Sequence, residues 1–110
     1  MNCGTKHTRA LALSFGMVGM AVNALAQDAA AMLHVRATAA ACATCHGTQG
    51  KTVDGSSVPA LAGMPRDHML AQMKAFKDGS RPATVMHQLS KGLTDQQIDV
   101  LATYFSTIQR

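Results

Sequence analysis

The stretch Cys42-Ala43-Thr44-Cys45-His46 decides the fold of this 110-residue chain, because C-x-x-C-H is the spacing at which haem is attached covalently. Two thiols three positions apart lie on nearly one side of a helical turn, so both can add to the two vinyl groups on one edge of a porphyrin. The histidine that follows is then held beneath the ring. The motif therefore predicts one c-type haem bound through Cys42 and Cys45, with His46 as an axial ligand of the iron.

Three other sites that use paired cysteines are the alternatives. A thioredoxin-like dithiol belongs beside a βαβ pattern, which the sequence lacks. A structural zinc site needs four ligands, and the chain offers one close pair. A structural disulfide needs no histidine after it, and Cys-x-x-Cys bridges are more often reactive than structural. A haem-free thiol protein is thus a minor alternative to haem attachment.

The first 26 residues have the pattern of a secretory signal peptide. Lys6 and Arg9 form a basic start, an apolar run extends from Ala10 to Leu25, and Ala24-Leu25-Ala26 matches an A-x-A cleavage site. We expect cleavage after residue 26, a single monohaem domain at 27–110, and export to a bacterial periplasm. No stable membrane insertion is expected after cleavage. A retained anchor is the alternative, although the apolar run is short and interrupted.

Charge and size limit the possible partners and the core. The net charge of +4 includes Lys6 and Arg9, and no RRM, zinc-finger or helix-turn-helix pattern is present, so no nucleic-acid partner is expected. A domain this small forms a thin core, for which a haem would supply an interior. Five basic residues are either solvated or arranged around a docking face for a redox protein: Lys51, Lys74, Lys77, Arg81 and Lys91.

Helical periodicity predicts an all-α fold with four helices. The segments expected to be helical are about 28–42, Pro65 or Asp67 to Gly79, about 82–91, and a last helix that begins at Thr94. Pro65 suits a first helical turn and Gly79 a helix end. The run from Thr94 to Gln97 has the pattern of a capping box. A turn-rich segment between Gly47 and Gly63 separates the first two helices.

The second axial ligand decides between an electron carrier and a haem enzyme. Met86 lies forty residues beyond His46, far enough for the chain to cross to the other face of the haem. A thioether there would favour ferrous iron and fill the position that oxygen or peroxide needs. His87 would instead give a bis-histidine site. Met64, Met69 and Met73 are rivals, the last two at core spacing.

Several runs resemble the small bacterial class I cytochromes c, and the later ones are similar to the haem subunit of flavocytochrome c sulfide dehydrogenase. The runs are Cys42 to Thr48, Pro59 to Gly63, Met73 to Arg81, Thr84 to Leu93, and Leu101 to Phe105.

The resemblance implies a class I cytochrome c fold of about four helices around one haem, with Met86 as the distal ligand. It also implies that the Pro59 carbonyl accepts a hydrogen bond from His46 and that Leu61 packs against the macrocycle. The expected function is single-electron transfer rather than catalysis. The partners would be redox proteins, among them a flavoprotein sulfide dehydrogenase subunit. A free-standing haem enzyme or gas sensor with a labile distal ligand is the alternative.

Overall fold

The computed structural model describes the backbone of residues 7–110 and the side chains of residues 23–110. Four α-helices and one short 3₁₀ helix make up this part of the chain, and it contains no strand. The helices are α1 (His7–His46), α2 (Arg66–Asp78), α3 (Met86–Lys91) and α4 (Asp95–Thr107), with the 3₁₀ helix at Thr48–Gly50. The predicted all-α class with four helices is confirmed.

Helix α1 is much longer than predicted. The expected segment, 28–42, lies inside it, and the helix continues through His46. The Ala-rich sequence has no proline and no glycine between Gly19 and Gly47, so nothing in it ends the helix earlier. Gly47 ends it with φ +79°, and a Cβ there would lie 2.1 Å from the Lys51 carbonyl oxygen. The haem motif is therefore the last turn of a helix.

The chain divides into two units, Met1–His34 and Val35–Arg110. The first contains the predicted signal peptide, whose basic residues Lys6 and Arg9 lie outside the described side chains. Within the described residues, no helix combines the length and the apolar character needed to cross a membrane. The second unit contains the haem motif and all the remaining helices.

Helix α2 begins and ends where the sequence predicts, and helix α4 begins where it predicts. Pro65 directly precedes α2, and Gly79 ends it in the left-handed conformation, φ +84°. Thr94 caps α4 through a complete capping box, in which Gln97 N donates to Thr94 Oγ1 and Thr94 N donates to Gln97 Oε1. These ends are fixed by local chemistry, which explains why local sequence finds them.

The predicted start of α3 was wrong by four residues. The helix begins at Met86 rather than near Pro82. Thr84 and Val85 are β-branched and lower the helix propensity of this segment. Residues 79–85 instead form an irregular link, made of a turn and bends, between α2 and α3.

The core of the second unit is formed by one face of α4 packed with α2, α1 and the loop after residue 60. Its buried members are Ala39, Leu61, Met69, Met73, Ile98, Leu101, Ala102 and Phe105. Met69 and Met73 are core residues, as predicted. Half-buried side chains that pack against this core cluster include Cys42, Met64, Phe76, Met86 and Tyr104.

Gly50 joins the loop after α1 to the core. Its carbonyl oxygen accepts hydrogen bonds from Leu61 N (2.8 Å) and Ala62 N (3.0 Å). A Cβ on Gly50 would lie 2.9 Å from both Leu61 Cβ and Phe105 Cε1. The backbone of residue 50 therefore passes close to the core and holds the segment that follows Pro59.

Candidate haem site

His46 is the last residue of α1 and is buried, with 8% of its surface exposed. Its Nδ1 donates a hydrogen bond to the backbone carbonyl oxygen of Pro59 at 2.7 Å. A carbonyl can only accept, so the proton of the neutral imidazole is on Nδ1 and the lone pair is on Nε2. This hydrogen bond orients the ring and would leave Nε2 as the nitrogen able to bind a metal.

The two thiols of the motif differ in their surroundings. Cys42 is half-buried and packs against the core cluster, whereas Cys45 is exposed, and neither forms a disulfide. Burial raises the pKa of the Cys42 thiol, partly opposed by a hydrogen bond to the backbone. Reactive dithiols depend on a lowered thiol pKa. Residues 7–110 also contain no strand, so the βαβ setting of a thioredoxin-like dithiol is missing from the described part of the chain.

An open concavity of about 540 Å³ lies beside Cys45. It is lined by Thr44, Cys45, Gly47, Thr48, Gln49, Lys51, Thr52, Val53 and Ser56. The Cys45 side chain is therefore not enclosed by the following loop, and a covalent adduct at its sulfur meets no packed barrier on this side.

Leu61 belongs to the core cluster against which Cys42 and Met86 both pack. Leu61 is buried, 7% exposed, and Met86 is half-buried at the first position of α3. Met86 and Cys42 pack against the same core cluster. Met64 also packs there, so packing alone leaves two half-buried thioethers on this cluster. His87, the other rival, is half-buried with its Nδ1 buried and unpartnered among the described residues.

The residues present fit a covalently bound haem. They supply two unpaired thiols at haem-attachment spacing, an imidazole whose Nδ1 is already engaged, and an apolar cluster against which Cys42 packs. When bound, haem supplies a one-electron ferrous/ferric couple. Cys42 and Cys45 would hold the ring, and the Pro59 carbonyl would keep the His46 imidazole oriented toward it.

Known proteins that resemble this chain also point to a haem site at this motif. The profile of the family described as Cytochrome c matches residues 35–109. The chain belongs to the cytochrome c family. Its Cys42, Cys45 and His46 are the attachment motif of covalently bound haem c, and the domain has an electron-transfer role rather than a catalytic one.

Three relatives show where this cytochrome c domain recurs. A "Thiosulfate dehydrogenase electron acceptor" of Thiomonas intermedia is 38% identical over 71 residues, which are 64% of this chain and 33% of that protein. A "Cytochrome subunit of sulfide dehydrogenase" of Chlorobaculum tepidum is 36% identical over 69 residues, 63% of this chain and 61% of that protein. Cytochrome c4 of Pseudomonas aeruginosa is 38% identical over 97 residues, 88% of this chain and 45% of that protein.

A solved structure supports the same fold. Cytochrome c4 of Acidithiobacillus ferrooxidans superposes with a TM-score of 0.58 at 34% sequence identity, covering 62% of this chain and 38% of that chain. The chain therefore spans between about a third and three fifths of the length of these similar proteins. The class I cytochrome c fold expected from the sequence is confirmed.

Two basic residues considered for a docking face are engaged inside the cytochrome domain. Lys77 Nζ donates to the Leu93 carbonyl (2.8 Å) and to Asp95 Oδ1 (2.7 Å). The Arg81 guanidinium lies over the Phe76 ring, 4.6 Å from its centroid. Neither role was predictable from the sequence, because each depends on partners that the fold brings together. The spacing of Phe76 and Arg81, five residues across the glycine that ends α2, was the only local signal.

Proposed function

We propose that this cytochrome c domain carries single electrons through a haem iron held by His46 on one side and Met86 on the other. The observation that carries the proposal is the His46 Nδ1 to Pro59 hydrogen bond, which leaves Nε2 for iron. Met86 is half-buried and packs against the same core cluster as Cys42, which supports its assignment as the second ligand. Two protein ligands change little in geometry between oxidation states and leave no open position for substrate, which suits a carrier.

Carbon monoxide tests the distal ligand. Added to the reduced, haem-loaded protein, it should leave the spectrum nearly unchanged, and the ferric protein should show the near-infrared band of methionine-to-iron charge transfer. Met86→Ala should remove the band, lower the reduction potential and admit carbon monoxide, because a thioether favours ferrous iron.

Two variants serve as controls for Met86. Met64→Ala removes the other half-buried thioether on the same cluster and should retain the band, and His87→Ala should also retain it. Rapid carbon monoxide binding by the unmodified protein would contradict the proposal and favour the haem enzyme or gas sensor. Loss of the native spectrum in His87→Ala alone would favour bis-histidine ligation.

We also propose export to the periplasm with cleavage after Ala26. The support is the A-x-A site at the end of an apolar run with a basic start. Mass spectrometry of the periplasmic fraction should find an N-terminus at Gln27 and the added mass of one haem. Recovery of the holoprotein only from membranes, with residues 1–26 retained, would contradict cleavage and favour the anchor.

The partner proposed is a flavoprotein subunit that oxidises sulfide. The support is similarity to a cytochrome subunit of sulfide dehydrogenase, while a thiosulfate dehydrogenase electron acceptor gives the competing partner. A purified flavoprotein sulfide dehydrogenase should reduce the oxidised holoprotein when sulfide is added. If it fails under conditions in which ascorbate reduces the haem, this partner is wrong and the carrier role stands.

A further inference from the structure

Arg81 makes three contacts with the last two turns of α2. Its guanidinium carbon lies 4.6 Å from the centre of the Phe76 ring, its Nη1 donates to Gln72 Oε1, and its backbone N donates to the Ala75 carbonyl at 3.0 Å. Phe76 is half-buried and packs against the core cluster, so the ring is a fixed platform. Arg81 therefore ties the beginning of the 79–85 link to helix α2.

The far end of the same link carries Met86. After Arg81, the next backbone hydrogen bonds along the described chain are accepted by the Val85 carbonyl, from Gln88 N (2.9 Å) and Leu89 N (3.2 Å). Pro82 has no N–H to donate, and Val85 is 54% exposed. The conformational freedom of residues 82–85 is thus limited mainly at its two ends, by Arg81 and by the first turn of α3.

We propose that Arg81 is a positioning residue for Met86. This inference rests on the proposed His46 and Met86 ligation. With Arg81 fixed on Phe76 and Gln72, fewer conformations of the link are open to the chain, and fewer of them carry Met86 away from the core cluster. A distal ligand that leaves the iron less often gives a smaller population of open sites, and external ligands bind in proportion to that population.

The positioning role of Arg81 depends on its planar guanidinium group and not only on its positive charge. Its side-chain partners are a ring face and a neutral amide, so no carboxylate is needed to hold it. A planar guanidinium can stack on the ring while its N–H groups still donate in the plane, which an ammonium group cannot reproduce. Asp78, the nearest acidic residue along the chain, accepts instead from Ser80 N at 2.8 Å.

The test uses Arg81→Gln in the full, exported, haem-loaded chain. We expect the apparent affinity of the ferrous protein for carbon monoxide to rise about fivefold, equivalent to about 1 kcal/mol at 1.4 kcal/mol per tenfold change. The methionine-to-iron band of the ferric protein should weaken in parallel. Arg81→Lys keeps a cation near Phe76 without the planar group, so its increase in carbon monoxide affinity should be smaller.

Arg66→Gln is the matched control. Arg66 also makes three side-chain contacts from α2, donating to Asp67 Oδ1, Asp99 Oδ1 and Thr103 Oγ1, but it anchors α4 rather than the link to Met86. The Arg66→Gln variant should lower the thermal stability of the holoprotein. Its carbon monoxide affinity and its methionine-to-iron band should be unchanged. Equal changes in the Arg66 and Arg81 variants, or an Arg81→Gln protein that matches the unmodified one in both readouts, would overturn the inference.

The unmodified protein separates this inference from the proposed function. If it shows the methionine band and resists carbon monoxide while Arg81→Gln behaves identically, only the role of Arg81 fails. If the unmodified protein lacks the band, the Met86 ligation itself fails, and the role of Arg81 fails with it.

Discussion

His46 and Pro59, thirteen residues apart, are joined by a hydrogen bond of 2.7 Å from the imidazole Nδ1 to the backbone carbonyl oxygen. The histidine ends a helix and the proline lies in the loop that returns past it. The carbonyl is held in turn because Leu61 N, two residues on, bonds to the Gly50 carbonyl. The loop thereby sets the tautomer and the orientation of the imidazole.

This bond predicts a protected Nδ1 proton on His46. In the reduced holoprotein the proton should be visible by NMR and exchange slowly with solvent. Pro59→Ala loosens the backbone that presents the carbonyl, and exchange should become about fivefold faster, in line with a net hydrogen-bond contribution of about 1 kcal/mol. Pro82→Ala, a proline in the other loop, should leave this exchange unchanged. Equal exchange in all three proteins would contradict the role of Pro59.

Alanine substitutions at Gly50 and Gly55 should separate the stability cost of a positive φ from the cost of crowding by a new Cβ. Both have positive φ, +74° and +79°, but a Cβ on Gly50 would contact Leu61 and Phe105 whereas one on Gly55 would meet nothing within 4 Å. Gly55→Ala should cost about 1 kcal/mol of unfolding free energy from φ alone. Gly50→Ala should cost a further 1–3 kcal/mol, roughly, from overpacking. Denaturant unfolding of the holoproteins measures both, and equal costs would contradict the close approach of residue 50 to the core.

The ion pair between Lys77 and Asp95 should make the stability of the folded protein sensitive to acid. The hydrogen bond from Lys77, followed by its charge, lowers the pKa of Asp95 below its ordinary value. A carboxyl whose pKa is lower in the folded state stabilises the fold above its unfolded pKa, about 4, and this contribution is lost as pH falls through the lowered value. Asp95→Asn should therefore reduce the drop in thermal stability between pH 6 and pH 3.

The matched control for Asp95 is Asp54→Asn, which removes an exposed carboxylate from the 47–56 loop. The Asp54→Asn variant should lose as much thermal stability between pH 6 and pH 3 as the unmodified protein. Lys77→Met also loses the hydrogen bond to the Leu93 carbonyl, so it should be less stable at neutral pH as well, by roughly 1 kcal/mol. An Asp95→Asn protein with the full acid sensitivity of the unmodified one would contradict the ion pair.

The parts of the fold that were predictable from sequence are those fixed by neighbouring residues. Pro65 and Gly79 frame α2, and the reciprocal bonds of Thr94 and Gln97 begin α4. The start of α3 was not predictable in this way. Pro82 is compatible with a first helical turn, and the contacts of Arg81 with α2 that precede it depend on tertiary structure.

The residues of the candidate site likewise divide into those predictable from local sequence and those that are not. The residues for haem attachment follow from the spacing in Cys42 to His46, which is local chemistry. The His46 to Pro59 bond came from family resemblance, since no periodicity relates residues 46 and 59. The roles of Gly50, Lys77 and Arg81 appear only in three dimensions, because their partners lie on other segments of the chain or depend on how the link returns to α2.

Covalent attachment of haem to Cys42 and Cys45 is tested by the absorption spectrum of the denatured holoprotein in alkaline pyridine, recorded on material exported with the haem-attachment machinery. The haem should remain on the protein after acidic acetone extraction and give the spectrum of a porphyrin bound through two thioethers, with one thioether lost in Cys42→Ala or Cys45→Ala. Haem that extracts freely from the unmodified protein, or properly matured protein without haem, would contradict it.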